Sequence, residues 1–437
     1  MIHRIATATW LDSVRFNVFH LIPYYLQGVF TRNLFFIGIM AFVRLHPFSA
    51  RFGSHLKRKY GGDLLYIRVL VRKSLLVLSV RGIKHVLEHS PAIYAEPRFK
   101  RRGLKHFQPN SVTISRGHEW QDRRQFNEAV LNSDRREHQH AGRFLEVIAN
   151  ETAGRPPQSW DDFDSLFGRI ALKIIFGLDS ETERELLRDL KAMMRLSNRV
   201  LGLRKSRLYD RFIEGIRWQL LDPRPGSLAS MCAGAPSTTV TKPENQLTHW
   251  MFAISETLAE NTVRAMAVLV AHPEALKRVQ AELSGVDLTS ARAIDQLHYL
   301  EGCVQEAMRL WPTTPLLIRE TTQRDTCVGL PIPAQTQVLI VNGFNHRDTE
   351  ADPQLNAFRP QMWMNGTNTD AFNHFSNSTQ VCAGKHLALF VAKAVIAMLL
   401  DGNGYVLRSP KLKPEKPMPE TFNIFRVRFA RTTERKP

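Results

Sequence analysis

The stretch HFSNSTQVCAGKHLALF, residues 374–390, sets one cysteine between a polar, turn-like segment and an apolar run of helical period. Its reading decides the fold. Cys382 stands where a helix begins, and there unpaired amide N–H groups and the helix dipole both favour negative charge. A thiol so placed ionises more readily than one in a core. The ordinary alternative is a small buried hydrophobe, which is what most free cysteines are.

The chain around it has 437 residues, 43% of them hydrophobic, enough for a large core and too apolar for a disordered protein. Lys plus Arg is 59 and Asp plus Glu is 41, a formal charge of +18 that suits an acidic partner, anionic lipid or nucleic acid. The basic residues are scattered and no zinc-finger or RNA-recognition pattern occurs, which speaks against nucleic acid. The four cysteines, Cys232, Cys303, Cys327 and Cys382, lie far apart, so no C-x-x-C site forms and a reduced, cytoplasmic setting is expected. Leu34 to Val43 is apolar but lies between Arg32 and Arg44, too short for a spanning helix, and the run from Phe16 to Thr31 is interrupted by Pro23. No secretory signal is evident. Residues 1–50 are therefore read as a separate N-terminal segment with at most peripheral, interfacial membrane contact through residues 10–45.

Residues 64–80, LLYIRVLVRKSLLVLSV, read as two strands with a tight connection. Long helical periods then dominate residues 119–311, with Asp222 to Gln246 as a Pro/Gly/Ser/Thr-rich connector and one long apolar helix over 247–271. TQVLIVN is β-like, the last helix covers 383–400, and FNIFRVRFA reads as a closing strand. The expected fold is mainly α with a smaller β-rich part near 60–80, 312–342 and 403–431, all within a single domain over 51–437.

A thiolate that binds iron needs donors aimed at sulfur, a backbone able to approach a flat macrocycle, and positive surroundings. A helix start supplies the first and third; Gly384, lacking a side chain, supplies the second. Phe375, Cys382 and Gly384 fall in the order F-x-x-G-x-R-x-C-x-G, and the loop resembles the cysteine loop of the cytochrome P450 family, the haem-thiolate monooxygenases. Ser378 stands where that family usually has Gly, and Gln380 where it usually has Arg.

Five further stretches carry the resemblance. Glu306 and Arg309 are spaced i to i+3, and EAMRLWPTTPLLIRET is similar to the family's ExxR helix and the extended segment after it. Asn345-His346-Arg347-Asp348 and Ala357-Phe358-Arg359-Pro360-Gln361-Met362-Trp363 resemble its H-R-D and F-R-P-E-R-W/F segments. Met362 aligns with the arginine that normally joins the Glu/Arg pair, so either Arg359 substitutes or the network has two members. Ala253-Ile254-Ser255-Glu256-Thr257-Leu258 resembles A-G-x-D/E-T-T, with Ile254 where Gly is usual. Trp120-Gln121-Asp122-Arg123-Arg124 matches W-x-x-x-R.

The resemblance implies a P450-like fold enclosing haem b (iron protoporphyrin IX), with Cys382 as its proximal ligand. It also implies haem-binding roles for Trp120, Arg124, Arg319, Phe375, Gly384 and Lys385, a structural Glu306–Arg309 pair, and proton delivery to dioxygen by Glu256 and Thr257. Phe107, Ile114, Ala253, Ile254, Thr313, Thr314 and Leu316 would line a pocket for a hydrophobic substrate. Electrons would come from a separate acidic ferredoxin or reductase, with Lys385, Arg123 and Arg124 as candidate docking residues. The expected activity is insertion of one oxygen atom into an organic substrate. A haem-thiolate isomerase, dehydratase or peroxygenase stays open, and beyond it a noncatalytic haem or lipid-binding protein.

Overall fold

Strands alternate their side chains across a sheet, and this chain has apolar residues for both faces. In the computed structural model, described over residues 4–29, 32–43, 45–178, 180–197, 206–364 and 371–432, the main sheet has six strands. They are β1 (Ala6–Thr7), β2 (Leu64–Val69), β3 (Arg72–Val77), β4 (Tyr94–Ala95), β5 (Leu316–Thr321) and β8 (Gln337–Val341), in the order β1-β2-β3-β8-β5-β4. The pairs β1–β2 and β3–β8 are parallel; the others are antiparallel. Two hairpins stand apart, β6 (Asp325–Cys327) with β7 (Leu330–Ile332), and β9 (Gly404–Ser409) with β10 (Arg428–Thr432).

One sheet face buries Leu65, Ile67, Leu76, Leu316, Leu339 and Val341 against Phe16, Tyr24 and Phe48. The opposite face buries Leu64, Leu75, Val77, Val338 and Ile340 against Ile83, Val86 and Leu87. Period-two alternation along β2 and β3 accounts for both. The N-terminal helices α1 (Trp10–Arg15) and α2 (Ile22–Leu26) adjoin the first face, which takes Phe16, Leu21 and Tyr24 from this segment, and α3 (Leu34–Phe42) packs on α2. Among the described residues, no helix is long and apolar enough to cross a membrane.

The larger part is helical and has its own core. Trp160–Phe176 starts at a Ser159/Asp162 capping box and stops at Gly177, whose φ of 81° suits glycine. It packs on the long helix, Pro243–Val270, which begins four residues before the expected 247 because Pro243 fits a first turn. That helix is not uniform: Ala253–Leu258 is wound as a π turn, and inside it Ser255 Oγ donates to Met251 O at 2.7 Å. The 222–246 connector contains a short helix, Leu228–Met231. The tail differs from expectation: Asn423 Oδ1 accepts from the Phe425 N–H and closes a 3₁₀ turn over Ile424–Arg426, so only Arg428–Thr432 is strand.

Candidate active site around Cys382

Of the four cysteines, Cys232, Cys303 and Cys327 are buried and Cys382 is accessible. The loop that presents it is pinned from several sides. Cys382 N–H donates to Phe375 O at 2.8 Å, and Lys385 N–H, opening the helix Lys385–Leu400, donates to Cys382 O at 3.1 Å. Arg124 Nη1 donates to Val381 O at 2.6 Å and Ser133 Oγ to Ala383 O at 2.6 Å. Thr379 Oγ1 donates to the carbonyls of Ser90 and Leu87. Ser378, in the place usual for glycine, holds φ at 54°. Surrounding protein raises the Cys382 thiol, while the Gly384 amide, Arg124 and Lys385 pull it down. Phe375, Cys382, Gly384, Lys385 and Arg124 are thus brought together. Gln380 contributes no charge here.

Glu306 and Arg309, on the helix His298–Leu310, are both fully buried and paired twice, Nη2 to Oε1 at 2.6 Å and Nε to Oε2 at 2.7 Å. A pair with no water must be satisfied completely. Arg309 also donates to the carbonyls of His346, Leu355 and Ala357. Glu306 accepts from the Arg359 backbone N–H at 2.9 Å and from the Trp363 indole at 3.0 Å. Neither alternative read from the sequence describes this: the Arg359 side chain binds Asp352, Met362 packs with Leu355 and Phe372, and Trp363 supplies the missing donor. Gly302 permits the contact, because a Cβ there would lie 2.7 Å from Pro360 O. His346, pushed down to about 4 by burial, joins Arg309 O to Asn373 and carries no charge at neutral pH. Sequence reading missed Trp363 and Asn373; the unusual Met362 was the one signal that a substitute was needed.

On the long helix, Glu256 and Thr257 lie in the π turn, both half-buried. Lys191 Nζ stands 3.4 Å from Glu256 Oε1 and binds both oxygens of Asp164, at 2.7 and 2.8 Å. Burial raises the Glu256 carboxyl to about 7, against the opposing charge of Lys191. Neither Lys191 nor Asp164 was legible as a partner.

Arg319 is buried and its Nη1 donates to Glu96 Oε1 at 2.6 Å. Arg116 donates to Glu96 O, and the Nε atoms of both Arg116 and Arg101 are buried without a partner. Lys100 and Arg98 add positive charge to the same cluster. An accessible sulfur, spare buried guanidinium donors, and a Gly384 whose added Cβ would meet only Leu131, at 3.7 Å, together fit a haem with acidic propionates. Trp120 lies one turn before Arg124 on the helix Gly117–Val130.

Phe107, Ile114 and Ile254 are buried in the helical core, with Phe107 edge-on to Phe252 at 6.2 Å. Ala253 and Thr313 are half-buried; Thr314 is exposed, its carbonyl accepting from Asn342. Leu316 does not join them: alternation along β5 turns it into the sheet core beside Leu339 and Phe344. Arg123 is no docking residue either, since it is buried with Nε on Val240 O and Nη1 on Ser115 Oγ.

The family model described as Cytochrome P450 matches residues 208–424. Among curated proteins, the chain is similar to cyclooctat-9-en-7-ol 5-monooxygenase of Streptomyces melanosporofaciens, 23% identical over 77% of this chain and 81% of that protein. It is also similar to ferruginol synthase of Salvia pomifera, 32% identical over 38% of this chain and 40% of that protein. The probable cytochrome P450 4d20 of Drosophila melanogaster is 29% identical over 38% of this chain and 34% of that protein. The match thus spans about a third of the length of the Drosophila relative.

Proposed function

We propose, proceeding from the premise that this chain belongs to the cytochrome P450 family, that it is a haem-thiolate monooxygenase. It binds haem b, inserts one atom of dioxygen into a hydrophobic organic substrate, and draws electrons from a separate acidic ferredoxin or reductase. The observation that carries this reading is Cys382, the accessible thiol among three buried ones, at a helix start beside Arg124 and Lys385.

Bound haem would supply a thiolate-ligated iron for reductive activation of dioxygen. The chain does the rest. Burial pushes the Cys382 thiol up, and the Gly384 amide, Arg124 and Lys385 oppose that push, so they would support the thiolate once iron is bound. Arg101 and Arg116, with spare buried Nε donors, and Arg319 beside them would hold the propionates, while Arg124, donating to Val381 O, steadies the cysteine loop itself. Glu256, near 7, holds or releases a proton at its carboxyl at physiological pH, with Thr257 next to it as the hydroxyl of the relay. Phe107, Ile114 and Ile254 keep water out and suit an apolar substrate. The charge of +18 favours encounter with an acidic electron carrier, for which Lys385 and Arg124 remain candidates on the Cys382 side.

Ile254 favours a second reading. Its branched side chain is buried in the π turn where the family usually has glycine, which suits a haem-thiolate enzyme that works with peroxide or rearranges its substrate without dioxygen. The deciding experiment takes the haem-loaded protein through a hydrophobic compound library, scoring spin-state shifts, and then measures oxygen and reductant consumed per product. Matched consumption of both supports the monooxygenase. Product formed from peroxide alone, or with no oxidant, transfers the assignment to the second reading.

A further inference from the structure

The helix Ser206–Leu221 buries Tyr209, Phe212, Ile213 and Ile216, and it leaves a second stripe open. Asp210, Glu214 and Trp218 follow one another at four-residue spacing, which stacks them along one side of the helix. Trp218 is 66% exposed and Leu221, one turn on, is 74% exposed. This stripe is one wall of a cavity of about 740 Å³. Pro109 and Asn110 form a second wall, and Lys242, Glu244 and Asn245, where the long helix begins, form a third.

Hydrogen bonds close the cavity on its inner side. Asn110 N–H donates to Asn245 Oδ1 at 3.2 Å, and the buried Gln246 donates to Asn110 O at 2.8 Å and accepts from the Val112 N–H at 3.2 Å. The loop that carries Phe107 and Ile114 is thereby tied to the long helix, and none of the residues lining this cavity lines the Cys382 site or belongs with Phe107, Ile114 and Ile254.

Its charge is opposite in sign to that of the protein. Arg217 Nη2 donates to Glu244 Oε1 at 2.9 Å, while Oε2 of this carboxylate, only 7% of whose residue is exposed, has no hydrogen-bond partner among the described residues. Asp210 and Glu214 likewise have no ion pair among the described residues. Three carboxylates thus face two cations, Arg217 and Lys242, in a chain whose formal charge is +18. Among the described residues no three acidic, histidine or cysteine side chains converge closely enough to hold a metal ion. A diffuse organic cation is what remains: carboxylates supply the charge, and an open indole face attracts both an ammonium group and apolar carbon.

We propose that this cavity is a second binding site, outside the haem pocket, for an organic monocation with an ammonium head and an apolar body. The head lies between Asp210 and Glu214, and the body rests on Trp218 and Leu221.

The test is titration calorimetry of the full, haem-loaded chain at low ionic strength, with and without saturating imidazole as a ligand for the iron; it needs no turnover. The probes are hexyltrimethylammonium and, separately, hexanoate. One-to-one binding of the ammonium, unaffected by imidazole and weakened by salt, is expected, with hexanoate binding at least tenfold more weakly. Asp210→Asn/Glu214→Gln should weaken the ammonium by about tenfold and Trp218→Ala by about threefold. Both variants change exposed side chains, and an unaltered haem spectrum reports that they stay folded. Wild-type protein that does not take up the ammonium would overturn the proposal, as would equal binding by wild type and both variants. Hexanoate bound as tightly as the ammonium, or ammonium binding abolished by imidazole, would overturn it too, the latter by placing the cation in the haem pocket.

Discussion

The indole nitrogen of Trp363 lies 3.0 Å from Glu306 Oε2 and donates to it. Glu306 is fully buried, so each lone pair without a donor costs stability, and a neutral ring here does work that a charged residue does in the resembling sequences. Trp363→Phe keeps the ring and deletes the N–H. It should destabilise the haem-loaded protein by about 1–3 kcal/mol, read as a lower urea midpoint. An unchanged midpoint would mean that the arginine pair and the Arg359 amide satisfy Glu306 alone.

Cys382→Ser replaces sulfur by an oxygen that binds iron poorly at neutral pH. The reduced, CO-treated protein should lose its red-shifted carbonyl band while the fold, followed by circular dichroism, survives. Persistence of that band would place the metal on another ligand.

The Glu256 carboxyl, ordinarily near 4.5, is raised to about 7 by burial, in spite of Lys191. Folding therefore favours its protonated form; this contribution to stability is complete below pH 4.5 and is lost as pH climbs through about 7. Glu256→Gln should flatten the thermal midpoint across that window. Lys191→Met removes the charge that lowers Glu256, so its inflection should move above 7. Identical pH profiles for wild type and Lys191→Met would disprove the coupling.

Thr257→Ala should leave haem binding intact and uncouple reductant use from product, because the acid in the π turn loses its hydroxyl neighbour. Coupling equal to wild type removes Thr257 from the relay.

Ser378 sits at φ 54°, a conformation that costs an L-residue about 1–2 kcal/mol. Ser378→Gly relieves this and gives back about 0.5–1 kcal/mol through the greater freedom of the unfolded chain. A small net gain in thermal stability is expected, and a lower melting temperature would show that the serine side chain contributes more than its backbone costs.

Local spacing made Cys382, Glu306 and Arg309 readable, since each motif reports on residues within one turn of its own helix or loop. What escaped was long-range. Lys191 reaches Glu256 from a different helix, and only packing of Glu181–Ser197 beside the π turn brings them together. Arg123 and Arg124 are sequence neighbours, yet about 100° of helical rotation sends one guanidinium into the protein and the other to the cysteine loop. For Leu316, alternation divides β5 between two faces without saying which face looks toward the pocket, and its side chain goes to the sheet. The helical bulk was legible from its period because burying a stripe of side chains is what that period does.

The wide winding over Ala253–Leu258 has a consequence for anyone redesigning this protein. One surplus residue in a coil offsets the numbering by about 100°, so counting by threes and fours from Thr257 back past Phe252 names the wrong stripe. Libraries aimed at the cleft from the upstream half must be chosen by position in space, and deleting one residue within the bulge would swing Glu256 away from Lys191 while leaving every downstream neighbour in register.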